Sequence, residues 1–372
     1  MKLDNNKRAF LALVRAGLWE KETRLSKFEK IDFSEIYKLA EEQSVIGLVA
    51  AGLEYVEDVK ISKEVLLAFI GYTLQLEQSN KAMNIFVAEL ISKLRSKDIY
   101  TLLVKGQGIA QCYKRPLWRA NGDVDLFLSN SNYDKAKEIL TPMATFVETE
   151  GKREKHQGYR IGPWLVELHG SLRCGLSCKM DKVIDGIQSD VFYGGKVRSW
   201  MNGQTQVFMP DADCDVVFVF THFIKHFFIE GLGLRQICDW CRLLYTFKDS
   251  LDYGLLEQRI MRAGLVSEWK AFYNLASRYL GMPDLGSGLM VHDSRYDKKA
   301  DRIMEFILKS GNMGHNRDMS HFSKYPYLIR KCVSMGRRIG DLINHARIFP
   351  LDSLRFFPRI MFNGVRSAMR GE

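Results

Sequence analysis

The sequence predicts an α+β protein in which a compact block of β-strands lies between two helical regions. Residues 34–56 and the run that begins at Ser62 have apolar residues at helical spacing. Residues 100–169 instead hold short runs of strand-forming residues separated by glycine turns, and the pattern from Asp211 onward is again helical. With 372 residues, of which 46% are hydrophobic, the chain can bury one large core or two to three smaller ones.

The N-terminal region, residues 1–95, is predicted to be helical. Residues 34–56 are predicted to form one helix that is capped by Ser34. Ser62 is predicted to open a second, long helix that extends through SKEVLLAFIGYTLQLEQSNKAMNIFVAELISKL.

The central region, residues 96–209, contains the predicted strands. YTLLV is typical of a buried strand, and GQG after it is typical of a turn that leads into a short helix. The remaining predicted elements are a strand at DVDLFL, a helix over 132–140, and strands at 145–149, 159–161 and 165–169, the last two joined at Gly162-Pro163. Residues 210–372 are predicted to be helical, without an internal repeat or a low-complexity linker.

Two aspartates lie one residue apart in the DVDLFL strand, directly after the turn signal Asn121-Gly122. Side chains in a strand alternate between its faces, so Asp123 and Asp125 lie on the same face. Neighbouring carboxylates repel each other and raise each other's pKa unless a positive charge lies between them. The pair therefore suggests a divalent metal site.

The elements around this strand suggest that the metal site also binds a phosphate. A glycine turn that opens a helix lets backbone N–H groups approach a phosphate, and Lys105 adds a positive charge beside Gly106. A site with one or two Mg²⁺ ions usually needs a third carboxylate on a neighbouring strand. Glu167 in VELH is the candidate, and His169 shares its strand face.

Several of these segments together resemble a known family. LLVKGQGIAQCYKRPLWRANGDVDLFL, WLVELHG and THFIKHFFIEGLGLRQICDW resemble the nucleotidyltransferase superfamily, which includes DNA polymerase β and the small antibiotic nucleotidyltransferases. The resemblance covers roughly residues 90–250 and is greatest to an uncharacterised bacterial branch. The sequence differs from the usual pattern of the superfamily at two positions. Gln107 replaces the serine of a Gly-Ser turn, and Glu167 replaces an aspartate.

The resemblance implies a small mixed β-sheet nucleotidyltransferase core, flanked by helical regions, at residues 96–209. It further implies Mg²⁺- or Mn²⁺-dependent transfer of a nucleoside monophosphate from a nucleoside triphosphate to an acceptor hydroxyl, with pyrophosphate leaving. The implied metal and catalytic residues are Asp123, Asp125 and Glu167, with His169 in support. The implied nucleotide-binding residues are Lys105, Gly106, Gln107, Arg119, Lys225 and His226.

The expected mechanism is an in-line displacement at the α-phosphate. A metal shared by Asp123, Asp125 and Glu167 would lower the pKa of the acceptor hydroxyl, and a second metal on the two aspartates would neutralise the leaving pyrophosphate. Positioning and charge stabilisation supply most of the catalysis in such a site.

The helical segment after Asp211 permits other interpretations. His222 and His226 are four residues apart and share a helix face, but no third zinc ligand is evident, so they either line the cleft or belong to a buried helix. Arg235 and Asp239 have the same spacing and could form an ion pair within the helix. Residues 218–228 are predicted to be core. A cysteine zinc site is disfavoured for two pairs that lack knuckle glycines, Cys174 with Cys178 and Cys238 with Cys241.

The net charge of +10 is concentrated at the C-terminus, where ten Lys or Arg and three acidic residues follow from Lys324. This basic tail could bind nucleic acid, an acidic partner or an anionic membrane surface, or it could be a packed helical cap. No run of 18 or more apolar residues and no signal-peptide pattern occurs, and seven cysteines are scattered, so we expect a cytoplasmic protein with free thiols and no membrane insertion.

Three functional hypotheses follow from these features. The first is an active nucleotidyltransferase whose acceptor is a small molecule, a protein or an RNA. The second is an inactive nucleotide-binding or regulatory module. The third is a nucleic-acid-binding protein that works through its basic tail. Three converging acids favour the first hypothesis over the second, because an inactive copy has no physical need to keep them.

Overall fold

The computed structural model describes residues 3–151, 155–286, 288–316 and 327–369. Within these residues a seven-stranded mixed sheet is accompanied by fourteen α-helices. The α+β class with flanking helical regions is thereby confirmed. No helix in the described part of the chain is both long enough and apolar enough to cross a membrane.

The sheet places the aspartate strand near its centre. The strands are β1 (Leu102–Val104), β2 (Asp123–Phe127), β3 (Phe146–Val147), β4 (His156–Ile161), β5 (Trp164–His169), β6 (Val197–Asn202) and β7 (Thr205–Pro210). Their order is β3-β4-β5-β2-β1-β7-β6. Strand β2 pairs in parallel with β5 and antiparallel with β1, so both neighbours can contribute side chains to the site on β2.

The helices precede, interrupt and follow the sheet. Those before and within it are α1 (Asn5–Trp19), α2 (Phe33–Glu42), α3 (Ile46–Leu53), α4 (Lys63–Arg95), α5 (Gly106–Ala110), α6 (Asn130–Leu140) and α7 (Cys178–Tyr193). Those after it are α8 (Ala212–Ile229), α9 (Leu234–Thr246), α10 (Tyr253–Ala263), α11 (Val266–Leu280), α12 (Asp297–Ser310), α13 (Tyr327–Ala346) and α14 (Pro350–Met369).

The N-terminal region differs in part from the prediction. The single helix expected over residues 34–56 is wrong, because Ser44 has a φ of +55° and divides the segment into α2 and α3. Asp32, rather than Ser34, caps α2 by accepting a hydrogen bond from the Ser34 N–H at 2.9 Å. The long second helix is confirmed, with the Ser62 hydroxyl accepting from the Val65 N–H at its start.

Two hydrophobic clusters lie on opposite faces of the sheet. Val124 and Leu126 pack with α4 and α6, whereas Phe127 belongs to the larger cluster that includes α8. Because side chains alternate along a strand, Asp123 and Asp125 share the Phe127 face. The same alternation in β5 buries Val166 and Leu168 in the first cluster. The carboxylates therefore lie on the face of the sheet that α8 covers.

The two C-terminal helices pack on α8. Phe227 and Phe228 contact the rings of His345 and Phe349, and Phe228 also contacts Phe356 at a centroid distance of 5.0 Å. The prediction that residues 218–228 are core is confirmed, since most of them are buried. Lys324, the predicted start of the basic tail, lies outside the described residues, but α13 and α14 have the packing of a helical cap.

Candidate active site

Three carboxylates converge on one face of the sheet. The parallel pairing of β2 with β5 places Asp125 directly opposite Glu167 and Asp123 opposite Leu165. One carboxylate oxygen from each of Asp123, Asp125 and Glu167 can be chosen so that all three lie within 4.8 Å of one another. The structure thus brings together the three acids that the sequence singled out.

Three basic side chains contact these carboxylates. Lys105 Nζ lies 2.7 Å from Asp125 Oδ1, and His169 Nε2 lies 2.8 Å from the same oxygen. On Glu167, Oε2 lies 3.0 Å from His156 Nε2 and 3.5 Å from His169 Nε2. Asp125 is 2% exposed, so these partners, rather than solvent, stabilise its negative charge.

The pKa values follow from this charge arrangement. The negative charge of Asp125, together with burial, raises the pKa of Asp123. Burial alone would raise the pKa of Glu167, but hydrogen bonds from His156 and His169 outweigh it and hold that pKa below its usual range. Burial likewise opposes the ammonium form of Lys105, yet the nearby carboxylates raise its pKa overall. The carboxylates are thus paired with nearby basic side chains.

The turn before α5 has an unusual backbone. Lys105 has a φ of +60° and a ψ of −147°, and Gly106 has a φ of +42°. A Cβ added to Gly106 would lie 3.6 Å from the Asp123 carbonyl oxygen, so the glycine is needed for its φ and not for space. Strained backbone of this kind is common at functional sites. The turn predicted over GQG is in fact the first part of helix α5.

The side chain of Gln107 does not take the position expected of a phosphate ligand. Gln107 is 2% exposed, and its amide nitrogen contacts the sulfur of Met83 on α4. The N–H groups of Gly108 and Ile109 donate to the Lys105 carbonyl. A contact between Gln107 and a phosphate would therefore have to use its backbone N–H, because its side chain is packed beneath the turn.

Arg119 lies behind the carboxylates in a buried ion pair. Its Nε and Nη2 donate to the two oxygens of Asp239 at 2.8 and 2.6 Å, and the Tyr113 hydroxyl donates to the same carboxylate at 2.8 Å. Both members of the pair have side chains that are 5% exposed. The helix-internal pair predicted between Arg235 and Asp239 is therefore wrong, since Asp239 is held by Arg119. Arg235 instead donates to the Ala120 carbonyl at 2.7 Å.

The predicted histidines of α8 are linked to the carboxylates through Lys105. His222 Nε2 lies 3.4 Å from Lys105 Nζ and 2.9 Å from His226 Nε2, and His226 also contacts Glu230. Burial and the charge of Lys105 hold the pKa of His222 well below its usual value. Lys225 makes no ion pair with the carboxylates among the described residues. His226 therefore reaches the site only through His222 and Lys105.

The described residues contain no cysteine cluster suited to zinc. Cys238 and Cys241 are buried in α9, and burial raises the pKa of both thiols. Burial also raises the pKa of Cys174 to about 12. These three thiols are core side chains.

His156, whose Nε2 faces Glu167, was not among the site residues predicted from the sequence. A signal for it exists in the hairpin of β4 and β5, in which Ile161 pairs with Trp164 around the predicted Gly162-Pro163 turn. Counting outward from that turn places His156 directly opposite His169. Turn geometry fixes the register of a hairpin, so this pairing could have been obtained from the sequence.

A narrow cleft, partly open to solvent, adjoins the segment that leads into β2. Its walls come from α1, α3 and the segment between α5 and β2, and they include Tyr55, Trp118, Arg119 and Arg235. Aromatic and basic side chains of this kind suit an anionic or aromatic substrate. Arg119 and Arg235 line this cleft, whereas Asp123, Asp125 and Glu167 are not among its lining residues.

Comparison with known protein families gives a match. A sequence model of the family described as "Uncharacterised nucleotidyltransferase" matches residues 29–281, which is more than half of the chain. The matched region contains the whole sheet and the three carboxylates. Neither the curated proteins nor the solved structures gave a match.

Proposed function

Because the chain belongs to this family of nucleotidyltransferases, we propose that it moves a nucleoside monophosphate from a nucleoside triphosphate to an acceptor hydroxyl and releases pyrophosphate. The acceptor class, whether small molecule, protein or RNA, stays open. The observation that supports this proposal best is the convergence of Asp123, Asp125 and Glu167 from two adjacent parallel strands.

The donor set fits a hard divalent cation such as Mg²⁺ or Mn²⁺. Oxygens on opposite sides of an octahedral Mg²⁺ lie about 4.2 Å apart, since each Mg–O bond is about 2.1 Å long. The three carboxylates offer oxygens within 4.8 Å of one another, so small side-chain rotations would bring them into range. When bound, such ions would activate the acceptor hydroxyl and neutralise the pyrophosphate.

The basic residues of the chain have separate tasks in this proposal. Lys105 holds Asp125 through a 2.7 Å contact and is close enough to turn toward a bound triphosphate. The backbone N–H groups of Gly106 and Gln107, at the strained turn, are the candidates to bind phosphate oxygens. His169 fixes the orientation of Asp125 through its Nε2. Arg119, through its ion pair with Asp239, holds the segment that leads into β2 against α9.

Calorimetric titration of an Mg²⁺–nucleoside triphosphate complex tests this proposal. Wild-type protein should bind the complex, and Asp123→Asn combined with Asp125→Asn should abolish binding because the oxygen ligands lose their charge. Asp185→Asn is the matched control, since Asp185 is an exposed carboxylate paired with Arg173 outside the site. Unchanged metal-dependent binding in the double variant would contradict the assignment.

A further inference from the structure

A second cluster of metal-ligating atoms adjoins the carboxylates on the β4–β5 hairpin. His156 and His169 are directly opposite each other in the hairpin, and Glu167 lies between their side chains. Their imidazole rings have centroids 4.8 Å apart, and one ligand atom from each of the three residues lies within 4.8 Å of the others. This cluster contains two nitrogen donors, unlike the carboxylate set.

The two separations between Glu167 and the histidines in this cluster match those between ligands of one metal ion. Two ligands at about 2.05 Å from a metal are about 2.9 Å apart at a right angle and about 3.3 Å apart in a tetrahedron. The observed separations from Glu167 Oε2 are 3.0 Å to His156 Nε2 and 3.5 Å to His169 Nε2. A single ion could therefore bind Glu167 Oε2 and the two imidazole nitrogens once His169 Nε2 gives up its hydrogen bond to Asp125 Oδ1.

His169 Nε2 is shared between two carboxylates. His169 Nε2 lies 2.8 Å from Asp125 Oδ1 and 3.5 Å from Glu167 Oε2, so a single N–H can serve only one of the two carboxylates well. Two imidazole nitrogens and a carboxylate oxygen meeting at one point are instead the donor set of a transition-metal site with open positions. The side chains of His156, Glu167 and His169 are 32%, 20% and 12% exposed, so an ion can enter from solvent.

We propose that His156, Glu167 and His169 form a binding site for a transition-metal ion of the Zn²⁺, Co²⁺ or Mn²⁺ class, distinct from the all-oxygen site on Asp123 and Asp125. Imidazole nitrogen suits these ions, whereas Mg²⁺ prefers oxygen ligands. Three protein ligands leave at least one coordination position for water or a substrate oxygen. The site shares Glu167 with the proposed nucleotidyl-transfer site, but binding of the ion does not require that reaction.

Titration of chelator-treated, full-length protein with Co²⁺, followed by its visible absorption and by displacement with Zn²⁺, tests this site in the absence of nucleotide. Wild-type protein should bind one Co²⁺ ion at this site, and Zn²⁺ should displace it at concentrations at least about 100-fold below those needed for Mg²⁺. Loss of a residue that only supports a ligand costs about 10- to 100-fold in metal affinity, so His156→Gln should weaken Co²⁺ binding at least about 100-fold.

His292→Gln is the matched control. His292 Nε2 also lies 2.9 Å from a carboxylate, that of Asp297, but outside the cluster, so this variant should bind Co²⁺ as the wild type does. Thermal unfolding of each variant checks its fold, and His156→Asp, which restores an oxygen ligand, should recover part of the affinity. Wild-type Co²⁺ binding in His156→Gln, or no Co²⁺ absorption in the wild type, would overturn the proposal.

The variant Asp123→Asn separates this proposal from the proposed function, because Asp123 belongs only to the all-oxygen site. It should lose binding of the Mg²⁺–triphosphate complex and keep Co²⁺ binding. A wild-type protein that binds Co²⁺ but no triphosphate would contradict only the proposed function. One that binds the triphosphate but no Co²⁺ would contradict only the transition-metal site.

Discussion

Removal of the Asp239 carboxylate is predicted to destabilise the fold strongly. Asp239 accepts two hydrogen bonds from Arg119, at 2.8 and 2.6 Å, and one from the Tyr113 hydroxyl at 2.8 Å. Asp239→Ala removes all three and leaves the Arg119 guanidinium, whose side chain is 5% exposed, without its counter-charge. Arg235 is also close, and burial together with the charge of Arg119 lowers its pKa, so the variant leaves two neighbouring cations without this carboxylate.

The free energy of unfolding is expected to fall by about 3–5 kcal/mol, the range for removing one partner of a buried ion pair. A loss of about 4 kcal/mol corresponds to roughly a thousand-fold change in the folding equilibrium, since each 1.4 kcal/mol is about tenfold. Asp185→Ala is the matched control. It breaks a pair with Arg173 whose two contacts are both 2.6 Å, but whose side chains are 51% and 39% exposed. Its expected cost is about 0–1 kcal/mol.

Urea unfolding followed by tryptophan fluorescence measures both variants, because Trp240 and Trp269 are fully buried. Replacing both partners with apolar residues, Arg119→Met with Asp239→Leu, should recover part of the loss, since the Arg119 charge is then no longer buried without its partner. Equal stability of Asp239→Ala and Asp185→Ala would refute this account of the pair. A stable Asp239→Ala protein with weakened triphosphate binding would instead favour the role for Arg119 that the family resemblance implied.

Three further predictions concern the site, the core and the C-terminal helices. Lys105→Ala should weaken binding of the Mg²⁺–triphosphate complex about 10- to 100-fold in calorimetry, because one charge-assisted contact of about 1.5–3 kcal/mol is lost; an unchanged dissociation constant would exclude Lys105 from the nucleotide site. Burial and the neighbouring Asp352 raise the pKa of Glu268 well above 4.5, so its protonation stabilises the fold at low pH and this contribution is lost as the pH rises toward the folded-state pKa. Glu268→Gln should therefore raise the melting temperature near neutral pH, and a drop there would contradict the assignment. Deletion of α13 and α14 should lower the melting temperature by exposing Phe227 and Phe228, without loss of tight RNA binding; an unchanged melting temperature with lost RNA affinity would show that the tail binds nucleic acid.

The carboxylates were predictable because their geometry is local. The period of two in a strand places Asp123 and Asp125 on one face whatever the rest of the chain does. Glu167 could be chosen as a candidate from its own strand pattern. Its position opposite Asp125, however, depends on the pairing of two strands that are far apart in the sequence, and this pairing required the structure. The hairpin of β6 and β7 was not predicted, although Gly203, with a φ of +60°, opens its two-residue turn and glycine there is a hairpin signal.

The roles of Gln107 and Arg119 could not be obtained in the same way. The position of the Gln107 side chain depends on Met83, which lies 24 residues away on another helix. Arg119 is neutralised by Asp239, 120 residues later, so its burial follows from tertiary packing alone. No glycine or proline marks the position where the predicted first helix breaks. The residue at the break is Ser44, which itself adopts a positive φ. In each case a tertiary contact or an uncommon backbone conformation overrides the local pattern.

Transfer of a labelled α-phosphate tests the central claim most directly. The full-length protein is incubated with Mg²⁺ or Mn²⁺, a cell extract and each nucleoside triphosphate labelled at the α-phosphate, and the labelled product is identified. Wild-type protein should label an acceptor and release unlabelled pyrophosphate, whereas Glu167→Gln should label nothing and Asp185→Asn should behave as the wild type. Labelling by Glu167→Gln at the wild-type rate would contradict catalysis by the three carboxylates.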